Sequence, residues 1–202
     1  MLNYFPVLKH FNIPNLITSL GLGFGFLSFI LIINQHIRLA LTLYLLVILL
    51  DRIDGFVARK LDLTSDFGKQ LDTLADAFNF CLFPALTAAY LFGFEYWWML
   101  VFGGYILSGI WRLAHYNLIG TNEVNGIEYF SGIPTTLVGA WFLMLMSFHP
   151  IITPHLLITG LVVLFIVSAG LMLSSVRYAK EGWITQFTTV LTPVSVIMMW
   201  LY

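Results

Sequence analysis

The chain is poor in charge. Only 9% of its 202 residues are Asp, Glu, Lys or Arg, against 59% hydrophobic, whereas an ordinary soluble domain is about 25% charged. Its 9 Lys and Arg are offset by 10 Asp and Glu, so no basic excess recommends nucleic acid as a partner. Cysteine is nearly missing. Cys81 stands alone, which excludes an intrachain disulfide and reads as a small buried apolar residue. There is no internal repeat and no low-complexity segment. His10, His36, His149 and His155 fall near predicted membrane edges and show no metal-ligand spacing. Lys9 and His10 precede an apolar run without a small-residue cleavage site, so the N-terminus reads as retained rather than as a removed signal peptide.

What is present is apolar length, with a mean hydropathy of +0.90. Runs at 15–33, 37–59, 68–92, 96–117, 133–148 and 155–175 approach the ~20 residues that cross a bilayer. A seventh, 186–202, is short and carries Pro193. The expected fold is all-α: a polytopic membrane helical bundle of six transmembrane helices, with the seventh left open, forming one domain over 14–202. Residues 1–13 are too short to span. Leu2, Phe5, Leu8 and Phe11 recur at roughly helical spacing beside Lys9, as in an interfacial helix lying on the membrane surface. Tyr96-Trp97-Trp98 and Trp200 with Tyr202 read as interfacial anchors. Lys9, Arg59, Lys60, Lys69, Arg177 and Lys180 fall on one face and only Arg38 on the other. The positive-inside rule then puts both ends of the six-span core in the cytoplasm, in a multi-pass protein of the cell membrane.

The scarce charge is concentrated. Asp51, Asp54, Asp62, Asp66, Asp72 and Asp76 are six of the ten acidic residues. An Asp at membrane depth costs roughly 2.5–3.5 kcal/mol on insertion scales, so such a cluster needs compensation. Helical positions three or four apart share a face. Asp51, Asp54, Gly55 and Ala58 therefore form one stripe, and Gly68, Asp72 and Asp76 another. A short turn makes the two helices antiparallel neighbours, with the acidic pairs at similar depth. Oxygen ligands without His or Cys suit Mg²⁺, Mn²⁺ or Ca²⁺ better than zinc, and four carboxylates suffice for two ions ~3.5–4 Å apart. Gly55, Ala58 and Gly68 remove bulk so that a diphosphate can approach. Arg59 supplies a cation of phosphate-binding geometry at the rim.

The pattern Asp-x2-Asp-Gly-x2-Ala-Arg-x8-Gly-x3-Asp-x3-Asp, met at Asp51, Asp54, Gly55, Ala58, Arg59, Gly68, Asp72 and Asp76, resembles the signature of the CDP-alcohol phosphatidyltransferase family. The resemblance implies transfer of a phosphatidyl group from CDP-diacylglycerol, or an archaeal ether equivalent, to an alcohol, with release of CMP. It implies Asp51, Asp54 and Asp72 as metal ligands, with Asp76 completing the cluster and acting as catalytic general base. Two divalent ions, Mg²⁺ or Mn²⁺, are the expected cofactors. Gly55, Ala58, Arg59 and Gly68 would line the CDP moiety. Asn15 and Thr18 would join them, since a similar stretch lies near the nucleotide in the family, and so would Asp66 beside the cap of the third span. Membrane lipid and a second copy of the chain, as a homodimer, are the expected partners.

The acceptor rests on other residues. Arg112 lies well inside the fourth span, and an intramembrane Arg is a functional candidate by default. Trp111-Arg112-Leu113-Ala114-His115-Tyr116-Asn117 and Phe130-Ser131-Gly132-Ile133-Pro134 resemble stretches of the phosphatidylserine synthase subgroup. His115 stands where that subgroup has a second Arg, Thr136 replaces a second Pro, and Asn79 and Cys81 replace Ser and Gly. One Arg suits one carboxylate, as serine presents, with Asn117 and His115 as further acceptor contacts. Phosphate-bearing acceptors such as glycerol 3-phosphate need more cations, and Arg177 could supply one. The expected order is serine, then glycerol 3-phosphate, then another small alcohol. A non-enzymatic ion carrier or structural membrane protein is the other class. A carrier would need polar residues in the outer halves of the spans, where there are almost none.

Overall fold

The computed structural model describes residues 6–93, 96–124, 127–179 and 182–202. Leu2, Phe5 and Lys180 of the expectations above lie outside them. After a 3₁₀ turn at Pro6–His10, α1 runs Ile13–Ile33, α2 Ile37–Lys60, α3 Asp66–Asp76, α4 Phe83–Phe92 and α5 Tyr96–Ile119. Strands β1 (Asn122–Val124) and β2 (Ile127–Ser131) follow, then α6 (Thr135–Met146), α7 (Pro154–Met172), β3 (Arg177–Ala179) and α8 (Trp183–Leu201). Segments α3 and α4 are one continuous helix, Asp66–Phe92, interrupted by a π turn at Ala77–Leu82.

Helix starts follow local chemistry. Asn12 caps α1 by accepting from the Asn15 N–H at 2.9 Å, with Pro14 in the first turn. Ser65 caps α3, its hydroxyl accepting from the Gly68 N–H at 3.0 Å, as the Thr64-Ser65-Asp66 sequence predicts. Between α2 and α3, Asp62 takes the left-handed region at φ 54°, which ends α2 ahead of the turn into α3.

The all-α expectation holds. Four helices are long and apolar enough to cross a membrane by length and composition: Ile13–Ile33, Asp66–Phe92, Pro154–Met172 and Trp183–Leu201. The last is the segment that the sequence left open. Both α2 and α5 have 24 residues, but α2 carries Asp51, Arg52, Asp54, Arg59 and Lys60 in its final turns, and α5 carries Arg112. The fifth expected span shrinks to Thr135–Met146, 12 residues, about 18 Å at 1.5 Å per residue. Of the stretch 1–13 expected at the interface, the described part holds the 3₁₀ turn, with Val7, Leu8 and Phe11 exposed.

Lipid tails are as apolar as leucine, so the bundle is held by close packing rather than by apolar burial. Its centre is aromatic. The Tyr44 ring stacks on Phe83 at 4.3 Å and Tyr105 on Phe165 at 4.5 Å, while Phe142 meets Phe83 edge-on at 6.1 Å. Of the glycines on α1, Gly25 is pressed against the Asn79 side chain and Gly21 approaches Leu50, whereas Gly23 meets nothing within 4 Å. The segment between α5 and α6 forms the hairpin β1-β2, which β3 joins from the loop before α8 in a three-stranded antiparallel sheet, pairing Phe130 with Tyr178 and Ser131 with Arg177. Gly132 makes the exit to α6 possible. Its φ is 73°, and a Cβ there would lie 2.5 Å from the Met172 carbonyl oxygen.

Candidate active site

The acidic ends of α2 and α3 face each other, as the stripes predict. One carboxylate oxygen each from Asp51, Asp72 and Asp76 lies within 4.8 Å of the others. Asp54 is not part of that group. It is buried at 5% exposure, and its oxygens accept from the Thr18 hydroxyl and the Gly55 N–H, both at 2.6 Å. The reason is angular: three residues along a helix turn a side chain about 60° away from the one it started with, so Asp54 leans toward α1 while Asp51 leans toward α3. Arg52 turns away from the cluster and reaches the Thr189 hydroxyl on α8.

Beside the acids lies a cavity of about 620 Å³. All seven residues expected around the CDP moiety line it: Asn15, Thr18, Gly55, Ala58, Arg59, Asp66 and Gly68. So do Asp54, Asp72, Leu63, Thr64, Lys69 and Tyr116. Asp72 belongs to both the cavity wall and the carboxylate group, and so joins them. The small residues have a steric purpose. A Cβ at Gly68 would lie 2.8 Å from Asn15 Oδ1, and one at Gly55 3.4 Å from an Arg59 Nη.

Two features of this arrangement were not legible beforehand. Thr18, expected at the nucleotide, also orients a carboxylate, and Tyr116 enters the wall as a neighbour of Arg112. A Thr four positions after Pro14, on a helix packed against the acids, was the signal available for the first. The second had none, because a Tyr at that spacing is as often core as site.

Deeper in, Arg112 is 6% exposed. Its guanidinium sits 5.4 Å from the Tyr116 ring centroid and 5.5 Å from that of Phe130, and those two rings meet at 5.5 Å. Stacking of this kind holds an Arg in place while occupying its faces rather than its N–H edge. Nε is buried without a hydrogen-bond partner, as is Asp76 Oδ1. Asn117 is already engaged: its side-chain amide donates to the Thr73 hydroxyl at 2.8 Å, and its backbone carbonyl accepts from Lys69 Nζ at 3.0 Å. His115 is exposed and does not line the cavity. The structure therefore does not bring His115 to the site, and it uses the Asn117 side chain to clasp α5 to α3. Arg177 is exposed on β3.

The donor set is three clustered carboxylates, with a fourth one turn away and no nitrogen or sulfur ligand among them. It fits a hard divalent cation, and the orphaned Asp76 Oδ1 fits an absent positive partner. Fold and site together define an acid-lined centre in an apolar helical bundle, beside a cavity in the size range of small-molecule sites. The sequence profile of the CDP-alcohol phosphatidyltransferase family matches residues 11–202, and the chain belongs to that family, whose members depend on divalent metal. It is 30% identical to archaetidylserine synthase of Methanothermobacter thermautotrophicus over 184 residues, 89% of this chain and 75% of that one. It is 31% identical to CDP-diacylglycerol–serine O-phosphatidyltransferase of Helicobacter pylori over 181 residues, 86% and 74% of the two chains. With the enzyme of the same name from Bacillus subtilis, identity is 29% over 143 residues, 69% and 78%.

Proposed function

We propose that this protein is a CDP-diacylglycerol–serine O-phosphatidyltransferase. The observation that carries the reading is the union of two sites through Asp72: a carboxylate cluster and a glycine-walled cavity holding every residue of the nucleotide-side signature. Family membership and the relatives' names support both the transfer and the serine acceptor.

Asp51, Asp72 and Asp76 would hold divalent metal, Mg²⁺ or Mn²⁺ in two positions, with Asp54 joining from Thr18's side. Metal bound there would neutralise the diphosphate and the charge growing on the departing CMP. Gly55, Ala58 and Gly68 admit the diphosphate, and Arg59 pairs with it from the rim. Asn15, Thr18 and Asp66 surround the nucleotide. Arg112 holds the serine carboxylate by its buried N–H edge. Asp76 takes the proton from the serine hydroxyl as that oxygen attacks the phosphatidyl phosphorus, and the bond from phosphorus to CMP breaks. The donor lipid is CDP-diacylglycerol, with the archaeal ether counterpart as its alternative. The membrane context follows from the same reading. Residues 14–202 form the catalytic membrane domain, residues 1–13 lie at the interface, and the site opens to the cytoplasm where Lys9, Arg59, Lys60 and Lys69 gather. The enzyme works as a homodimer in the cell membrane, as the family resemblance implies.

The test is CMP release by the purified protein, with Mg²⁺ or Mn²⁺ and both lipid types, offering serine, glycerol 3-phosphate or inositol. Release is expected with serine. Preference for glycerol 3-phosphate would move the chain to another acceptor class, and no release with any of them would remove the reading.

A further inference from the structure

Asp76 ends the regular part of α3, and the π turn Ala77–Leu82 begins at the next residue. Single π turns inside α-helices often sit at functional sites. This one has a cause in the sequence. In α register the Phe80 carbonyl takes its hydrogen bond from residue 84, and in π register the Asn79 carbonyl does. Residue 84 is Pro84, which has no N–H to give. The Phe83 N–H, which could serve Asn79 in α register, goes to the Phe78 carbonyl instead.

Two side chains from other helices serve these carbonyls. The Tyr44 hydroxyl on α2 donates to the Asn79 carbonyl at 2.8 Å, and the Tyr105 hydroxyl on α5 donates to that of Phe80. Both tyrosines are 0% exposed, as is Phe80. An aromatic core needs no hydroxyl there, since Phe would fill the same volume. The surroundings are cut to fit the widened turn. A Cβ at Gly139 would lie 2.5 Å from the Phe80 ring and 2.8 Å from Tyr44 Oη, and one at Gly109 would strike Cys81 Sγ.

The placement of the two tethers links them to the chemistry. Tyr44 lies seven residues before Asp51 on α2, and Tyr105 seven before Arg112 on α5. Seven residues are two helical turns, about 10.5 Å along one stripe. The helices that carry Asp51 and Arg112 are therefore each bonded, two turns away, to the irregular turn that Asp76 precedes.

We propose that Tyr44 and Tyr105 are positioning residues of the transfer reaction, their hydroxyls holding the π turn that sets Asp76 against Asp51 and Arg112. The inference rests on the reading of Asp76 as ligand and base. Neither tyrosine touches substrate; both act through Asp76. Without the hydroxyls the two carbonyls lose their partners, the turn relaxes, and Asp76 shifts or rotates out of the cluster.

The test uses the full chain in lipid or detergent, with Tyr44→Phe, Tyr105→Phe, the double variant, and the double variant carrying Pro84→Ala. Three quantities are read: turnover, Mn²⁺ affinity by electron paramagnetic resonance without substrate, and thermal unfolding. Each single variant should lower kcat with the CDP-lipid KM nearly unchanged. The double variant should lower kcat roughly 10- to 100-fold and weaken Mn²⁺ binding about tenfold or more. Pro84→Ala returns an N–H to the helix, so it should recover thermal stability while leaving kcat and Mn²⁺ affinity low. Wild-type kcat and Mn²⁺ affinity in folded single variants would overturn the proposal, as would recovery of all three quantities by Pro84→Ala. Should the wild-type protein release no CMP, the reaction assigned above fails, while the Mn²⁺ titration still decides the tyrosines' role.

Discussion

Polar side chains enter this apolar bundle in two regions, and their hydrogen-bond ledgers differ. Along the seam where α6 and α8 pack, four side chains find partners. The Trp141 indole donates to the Thr188 hydroxyl at 3.3 Å, Thr192 to the Thr188 carbonyl at 2.7 Å, Ser195 to the Thr192 carbonyl at 2.8 Å, and Ser147 to the Leu143 carbonyl at 2.8 Å. Where α2, α3 and α5 meet the ledger stays open. Asp76 Oδ1, Arg112 Nε and Asn79 Oδ1 are buried without partners. The closed region is glue, of the kind that joins helices in lipid. The open region holds charge that the protein alone leaves unsatisfied, and such groups in a native fold call for an explanation. Hydroxyls of Thr87, Thr135 and Ser168 are also buried without partners, so what sets the centre at α2, α3 and α5 apart is unsatisfied charge.

The sharpest way to break the comparison is to neutralise the open region at its centre. Asp76→Asn keeps the shape of the side chain and removes its charge and basicity. Turnover should fall by roughly 10²–10⁴-fold, while binding of the CDP-lipid, held by the Gly55, Ala58, Arg59 and Gly68 wall, stays close to wild type. CMP release and equilibrium binding of a CDP-lipid analogue measure the two separately. Near-normal turnover would mean that the orphaned oxygen has no chemical task and that the two regions differ only in tidiness.

Arg112→Ala sharpens the comparison within the open region. If Nε awaits a carboxylate, its loss should raise the serine KM by about tenfold or more, the size of a hydrogen bond to a charged group, and change the CDP-lipid KM far less. Initial-rate kinetics with each substrate varied in turn gives both numbers. Equal effects on both would make the Tyr116–Arg112–Phe130 stack a structural device, closer in kind to the seam between α6 and α8.

How much of this could be read from the chain depends on how local the cause is. The meeting of Asp51 with Asp72 and Asp76 follows from helical spacing and one short turn. So does the cavity wall, because Gly55, Ala58, Arg59 and Gly68 share the stripes of the acids. Asp54 was placed with the cluster because stripe arguments treat positions three apart as one face. The residual angle of about 60°, together with a hydroxyl on α1, sets its carboxylate beside the tight group of three. His115 lies off the cavity for a similar reason. It lies next to the Tyr116 that reaches the cavity, and adjacent helical residues point about 100° apart. The short α6 and the β-sheet were hidden for a different reason. Apolar composition over 133–148 says that a segment is buried, while only tertiary context says whether it crosses a membrane. The strands form because two separate loops, one after α5 and one before α8, end side by side. The π turn had its cause in plain sight at Pro84, yet its two donors come from helices 40 and 21 residues upstream and downstream of that proline.

The smallest expected effect belongs to the closed region, and it tests the other half of the comparison. Trp141→Phe deletes the indole N–H that reaches Thr188 and little else. The Thr192 hydroxyl still bonds within its own helix, so no charge is stranded. Interhelical hydrogen bonds of this type average about 0.6 kcal/mol in membrane proteins, because the partners find other acceptors when separated. A small fall in thermal stability is therefore expected, with kcat and both KM values unchanged within about twofold. The variant is informative because α8 also meets α2 through Arg52 and Thr189, next in sequence to Asp51. If loosening the seam travelled along that contact into the carboxylate cluster, the KM for metal would rise along with the loss of stability. An unchanged metal dependence beside a lowered melting temperature would show that one polar region fastens the helices and the other is left free for chemistry.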